Sequence, residues 1–105
     1  MLSLFDKGPP PSCPPQFNLA AYGLRHSTET PAKTALELVG GPHQIIWSYR
    51  QLEQAVLATG AGLLDRGLRP GDLVLLRLGH SVDFPLSFLG AIAVGLVPVP
   101  CAGQL

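Results

Sequence analysis

The chain has 105 residues, with seven Lys and Arg balanced by seven Asp and Glu; 13% of residues are charged and 47% are hydrophobic. Typical soluble domains are about 25% charged, and a neutral chain offers neither the basic surface that nucleic-acid phosphates require nor a polybasic membrane patch. Two cysteines, Cys13 and Cys101, are too few and too far apart for a disulfide scaffold or a zinc module.

Residues 8–15, Gly-Pro-Pro-Pro-Ser-Cys-Pro-Pro, cannot form helix or central strand and are expected as an extended arm. A peptide-recognition role for it is weaker than a simple lead-in. Asn18 is a candidate N-cap for a short helix over residues 19–26, with Leu19, Tyr22 and His26 as its buried stripe. Pro31 ends that segment. Residues 34–39 read as a strand, with Leu36 and Leu38 opposite in parity to Glu37. Gly40-Gly41-Pro42 is a turn signal, and Ile45-Ile46-Trp47 is a second β-prone run. The two runs predict a hairpin.

Ser48-Tyr-Arg-Gln51 fits a capping box and opens a helix. Leu52, Val56, Leu63 and Leu64 keep its stripe, and Gly60 and Gly62 point to close packing against a neighbour. Gly67 suits the position just past the helix, and Pro70-Gly71 suits a turn. The run Leu73-Val-Leu-Leu-Arg-Leu78 reads as a strand covered on both faces. Ser81 or Asp83 is expected to cap a helix over residues 84–94, stopped by Gly95. Val97-Pro-Val-Pro-Cys101 is extended, and its alternating prolines suit an edge strand or strand end. The expected fold class is therefore α/β, an N-terminal hairpin plus a βαβ unit with parallel strands and a right-handed crossover. The helix from Ser48 is expected to cover one face of that unit.

The last charge is Asp83, so residues 84–105 carry none. Pro85, Pro98 and Pro100 interrupt that stretch, leaving too little helix for the roughly 20 residues of a membrane span. The first residues lack the apolar core of a signal peptide, so a cytoplasmic chain is expected.

Motifs for chemistry are scarce. Gly60-Ala-Gly62 is not a dinucleotide fingerprint, because Asp65 occupies the third glycine position and the segment lies within a helix. There is no Walker phosphate loop and no nucleophile elbow. His80-Ser81-x-Asp83 has the composition of a triad, but adjacent residues rarely reach relay geometry, and a helix cap accounts for Ser81 and Asp83. His26 and His43 stand without a carboxylate or second ligand at metal spacing. Cys101, at a strand end, is expected as inert buried packing. No catalytic, cofactor-binding or metal-ligating residue is assigned.

Several segments, in order, resemble the N-terminal part of the AMP-forming acyl-activating enzymes. That superfamily includes acyl-CoA synthetases, aryl-CoA ligases, peptide-synthetase adenylation domains and luciferases. The resemblance begins near Phe17-Asn-Leu-Ala and runs to the last residue. Pro31-Ala-Lys-Thr-Ala-Leu36 resembles the family's P-x-K-T-A-L strand entry. Trp47-Ser-Tyr-Arg-Gln-Leu52 resembles (L/W)-(T/S)-Y-x-E-L, with Gln51 in place of Glu, and either residue closes a capping box. Gly67-Leu-Arg-Pro-Gly-Asp-Leu-Val74 resembles G-(V/I)-x-x-G-D-x-V. Ser81 to Phe84, followed by Phe88-Leu-Gly-Ala-Ile-Ala-Val-Gly-Leu-Val-Pro-Val-Pro100, resembles the S-x-E-F … F-x-(A/G)-x-x-x-(A/V)-G-x-V-x-V-P block. Asp83 stands in the Glu place and Pro85 follows it. The Val-Pro-Val-Pro form resembles the benzoate- and acyl-CoA ligase branches.

The resemblance implies a ligase for the complete chain. A carboxylic acid attacks ATP to give an acyl-adenylate and pyrophosphate, and the thiolate of coenzyme A then displaces AMP. The implied cofactors are ATP, magnesium and coenzyme A, with magnesium offsetting phosphate charge. The Ser/Thr/Gly-rich phosphate loop, the ribose-gripping Asp, the hinge and the C-terminal lysine all lie in the family beyond the part resembled. The implied organisation is an arm over residues 1–16 and an incomplete adenylate-forming domain over residues 17–105, inactive alone. Its implied partners are the remainder of its own N-terminal domain, a C-terminal domain and a small carboxylic acid, with no nucleic acid and no membrane span. The alternative is a free-standing α/β binding or interaction module without activity. Burial of Leu86, Phe88, Leu89, Ile92, Val94 and Leu96, at about 1.5–3 kcal/mol each, suits the interior of a larger domain.

Overall fold

The computed structural model describes residues 8–42 and 44–102. Residues 8–16 are exposed and lie outside helix and strand, as their prolines dictate. The elements that follow are α1 (Leu19–Gly23), β1 (Thr34–Leu38), β2 (Ile45–Ser48), α2 (Tyr49–Asp65), β3 (Leu73–Leu76), α3 (Asp83–Ala93) and β4 (Val97–Pro100). β1 and β2 form an antiparallel hairpin, and β3 and β4 pair in parallel around α3. The expected hairpin and βαβ unit are both present.

The start of α2 shows how local sequence and remote chain cooperate. A helix leaves its first four N–H groups without intrahelical partners, and in α2 each is met. Ser48 N donates to Gln51 Oε1 (2.9 Å) and Gln51 N to Ser48 Oγ (3.2 Å), which is the capping box. Tyr49 N donates to the carbonyl of Lys33 (2.9 Å), and Arg50 N to that of Pro31 (3.1 Å). The Pro-x-Lys segment thus supplies main-chain acceptors that tie the entry of β1 to the start of α2.

Leu24, Leu52 and Val56 form the buried cluster, against which Leu36, Trp47, Leu86, Leu89 and Ala93 pack. α2 lies along α3, and the two backbones approach where Gly60 meets Gly90. Just past α3, Gly95 takes φ +82°, with Pro70 packed where its side chain would begin. Only glycine adopts that backbone without strain.

Tertiary packing overturns several local expectations. The α1 helix stops at Gly23, and its buried residues are Ala20, then Leu24 and Ser27 in the following turns, not Leu19, Tyr22 and His26. α1 packs against α3, and Asn18 Nδ2 reaches the carbonyl of Ile92 (2.8 Å), so the small Ala20 faces the contact while Leu19 and Tyr22 face out. In β1, a register shift between Thr34 and Leu36 leaves the adjacent Ala35 and Leu36 both half-buried, breaking strict alternation. The α2 stripe runs Leu52, Val56 and Gly60, and Leu64 lies exposed because the contact with α3 falls on the glycine. Gly62, unlike Gly60, has nothing within 4 Å of a Cβ position and serves no close approach.

The start of α3 also differs. Its N-cap is Val82, without a side-chain cap bond, and Asp83 is its first residue. Ser81 Oγ instead accepts from Asp83 N (3.2 Å). Pro85 falls in the first turn, where a missing N–H costs no helical bond. β3 ends at Leu76 and, among the described residues, is covered on one face only, with Leu73 69% and Leu75 72% exposed. α2 does not cover the parallel pair: it packs on α3 and on the hairpin. Among the described residues, no helix is long and apolar enough to cross a membrane.

Candidate functional site

Among the concavities that the described residues form are the following three. The first, about 440 Å³, lies between the hairpin and the β3–α3 connection; Glu37, His80 and Ser81 supply its polar groups, and Leu36, Leu38 and Phe84 its apolar walls. The second, about 610 Å³, separates α1 and the following turns from α2. The third, about 420 Å³, lies beside Trp47 and Gln51.

The second concavity contains a polar pair that no sequence spacing announces. Ser27 is buried, and its Oγ donates to Glu53 Oε2 from α2. A buried hydroxyl needs such a partner, and Glu53, half-buried on α2, provides it. Acyl or phosphoryl chemistry at a serine requires a base and a further group that orients it. Among the described residues no hydrogen bond brings a histidine to Ser27, and the bond to Glu53 ties the turns after α1 to α2. Asn18 is likewise committed: its Oδ1 accepts from Ala21 N (3.1 Å) while Nδ2 holds Ile92 O.

The residues considered from sequence are scattered. His80, Ser81 and Asp83 share one connection, but the bond recorded there runs from the Asp83 amide to Ser81 Oγ, which is turn chemistry. His26, expected to stand alone, has Nδ1 3.1 Å from Glu29 Oε2. The turns after α1 bring residues three apart together, with Glu29 N donating to the His26 carbonyl (3.1 Å). Both side chains are mostly exposed, so the pair adds little stability. His43 lies outside the described residues. Cys101 is exposed instead of buried, because β4 ends before it and, among the described residues, no helix or strand covers the strand end; Cys13 is exposed as well. Among the described residues, no group of three His, Cys, Asp or Glu gathers to hold a metal ion.

The chain's likeness to known proteins is specific. The family model described as AMP-binding enzyme matches residues 24–105. The vibriobactin-specific 2,3-dihydroxybenzoate-AMP ligase of Vibrio cholerae is 36% identical over 81 residues, 77% of this chain and 14% of that one. The 4-hydroxybenzoate–CoA/benzoate–CoA ligase of Rhodopseudomonas palustris is 42% identical over 52 residues, 50% of this chain and 10% of that one. Among solved structures, a benzoate CoA ligase from Burkholderia xenovorans superposes with a TM-score of 0.73 at 30% identity, over 86% of this chain and 18% of that one. The chain thus spans a small part of the length of the relatives it matches.

Proposed function

The chain belongs to the AMP-binding enzymes, and from that membership we propose that it forms the N-terminal portion of an AMP-forming carboxylic acid–CoA ligase. In the proposed reaction, a carboxylate oxygen attacks ATP, pyrophosphate leaves, and the acyl-adenylate passes its acyl group to the thiolate of coenzyme A with release of AMP. The observation that carries this reading is the family match over residues 24–105, coincident with the hairpin, α2 and the βαβ unit. Coenzyme A as acceptor is supported by the Val-Pro-Val-Pro segment and by likeness to benzoate–CoA ligases. The relatives also include a 2,3-dihydroxybenzoate-AMP ligase.

In this reading the described residues position and do not react. α2 and α3 lock through Gly60 and Gly90, the Pro31–Lys33 carbonyls anchor α2, and Asn18 clamps α1 onto α3. In this reading ATP and magnesium are held by the remainder of the enzyme, and no residue of this chain is given a role in binding them.

Acid-dependent ATP–pyrophosphate exchange tests the reading. The purified 105-residue chain is expected to show none, and exchange by it alone would overturn the assignment of catalysis to other residues. The gene's downstream reading frame is expected to encode a Ser/Thr/Gly-rich loop ending in Pro-Lys-Gly, and its full product to form a thioester when an aromatic or aliphatic acid and coenzyme A are supplied. A stop codon after Leu105, with an independently stable monomer, would favour the free-standing module instead.

A further inference from the structure

Two features of the N-terminal region lie uncovered side by side. The first is the arm. Residues 8–16 are exposed, and Pro9, Pro10, Pro11, Pro14 and Pro15 make up most of it. Proline holds φ near the polyproline II value, and that helix has three residues per turn, which sets Pro11 and Pro14 on one edge. Among the described residues, the carbonyls of residues 9–15 accept no hydrogen bond. The second feature is an aromatic patch at the root of the arm. Phe17 and Tyr22 stand with ring centroids 5.4 Å apart and tilted by 48°. Arg25 lies over the Tyr22 ring, its Cζ 3.8 Å from the centroid, and its Nη1 donates to the Tyr22 carbonyl (2.6 Å). The Tyr22 ring is thus held from two sides, yet Phe17 is 49% exposed, Tyr22 50%, and Leu19, three residues before Tyr22 on the same helix, 47%. The arm, Phe17, Leu19 and Tyr22 all precede residue 24, where the match to AMP-binding enzymes begins.

We infer that this patch is a docking site for the proline-rich arm of a second copy of the chain, exchanged reciprocally about a two-fold axis. Extended proline-rich segments dock in aromatic-lined grooves, and this chain carries both halves of that pairing. Within one chain the halves do not meet, since arm and patch are both exposed; the stiff Pro14 and Pro15 carry the arm away from Phe17. Between two chains they do. Residues 9–15, at about 3.1 Å each, give an arm of about 22 Å. Each arm starts at its own patch, so two arms laid antiparallel bring each to the other's patch. Such a contact is isologous and closes at two copies. Arg25 has five N–H donors and Tyr22 a hydroxyl to meet the unpaired carbonyls of the arm, while the rings take the Pro11–Pro14 edge. Prolines and a ring already held in place lose little freedom on docking. A fully covered aromatic side chain buries about 150–250 Å², and these two are half exposed, so the association belongs to the weak, transient class below about 1,200 Å². Dimerisation through the arm is independent of the ligase reading.

Sedimentation equilibrium of the 105-residue chain, up to about 1 mM, tests the pairing without ATP or activity, and a monomer–dimer equilibrium is expected. Pro11→Gly with Pro14→Gly alters a segment that packs on nothing among the described residues, and should weaken the dimer at least about tenfold. Tyr22→Ser should do the same with thermal unfolding little changed. Mixing those two variants restores one of the two contacts and should give a dimer that neither forms alone. Leu73→Thr with Leu75→Thr, on the exposed face of β3, should leave the dimer intact. If the wild-type chain aggregates through that face, the same comparisons are made in the Leu73→Thr, Leu75→Thr background. In a mixture of isotope-labelled and unlabelled chain, intermolecular NOEs are expected between the Tyr22 ring and proline δ protons. A chain still monomeric at the highest concentration, or a dimer that survives the proline variant, would overturn the inference. So would a dimer abolished by the Leu73 and Leu75 substitutions, or arm and patch resonances that shift only when the chain is extended by the rest of its reading frame, since the occupant would then be its own polypeptide.

Discussion

Gly60 and Gly90 each occupy the space that the other's side chain would need. A Cβ on Gly60 would lie 2.9 Å from the Gly90 carbonyl oxygen and 2.8 Å from Val94 Cγ1. One on Gly90 would lie 2.9 Å from Thr59 Cβ and 3.2 Å from Gly60 N. Backbone and a β-branched side chain cannot swing aside, so the α2–α3 contact depends on both glycines.

Gly60→Ala and Gly90→Ala should therefore each destabilise the chain by about 1–3 kcal/mol despite alanine's better helix propensity. Gly62→Ala, facing open space on the same helix, should stabilise by up to about 1 kcal/mol. Thermal unfolding separates the signs, at about 4–8 °C per kcal/mol for a domain near this size. Equal effects at Gly60 and Gly62 would show that the close approach is unimportant.

Ser48→Ala removes the acceptor for Gln51 N and should cost about 0.5–2 kcal/mol. Gln51→Glu keeps a side-chain acceptor for Ser48 N and should be near neutral, because Glu and Gln both close the box. Urea midpoints of the two variants are the measurement.

Asn18 offers a sharper test, because its two side-chain atoms do different work. Asn and Asp are equivalent as ordinary N-caps. Here Asn18→Asp keeps the acceptor for Ala21 N but turns an oxygen toward the Ile92 carbonyl in place of the donor. The substitution should cost about 1–3 kcal/mol. A neutral Asn18→Asp in chemical denaturation would show that the Ile92 tie contributes nothing.

The bare face of β3 should make the isolated chain bind the dye ANS. Leu73→Thr with Leu75→Thr keeps strand propensity while removing apolar surface, and should cut dye fluorescence severalfold. A wild-type chain that unfolds cooperatively and binds no dye would contradict the exposure of this face.

What the sequence determined by itself is whatever depends on neighbours within about one helical turn. The Ser48–Gln51 box, the Asn18 cap, the hairpin turn, the stops at Gly67 and Gly95, and the order of strands and helices all involve groups a few residues apart. The family motifs are legible for the same reason, being runs of caps, turns and packing residues.

Tertiary structure alone decided which faces are covered. Leu19 and Tyr22 have helical spacing, yet Ala20 is buried, because α3 approaches on that side. The run at Leu73 looks doubly buried, yet among the described residues α3 is the one helix that packs on the β3 strand. Ser27 and Glu53 meet across α1 and α2, and the Pro31 and Lys33 carbonyls reach the α2 amides. Periodicity states which residues share a face of an element. Burial also depends on what packs there, and that partner is a distant segment whose position only the folded chain defines.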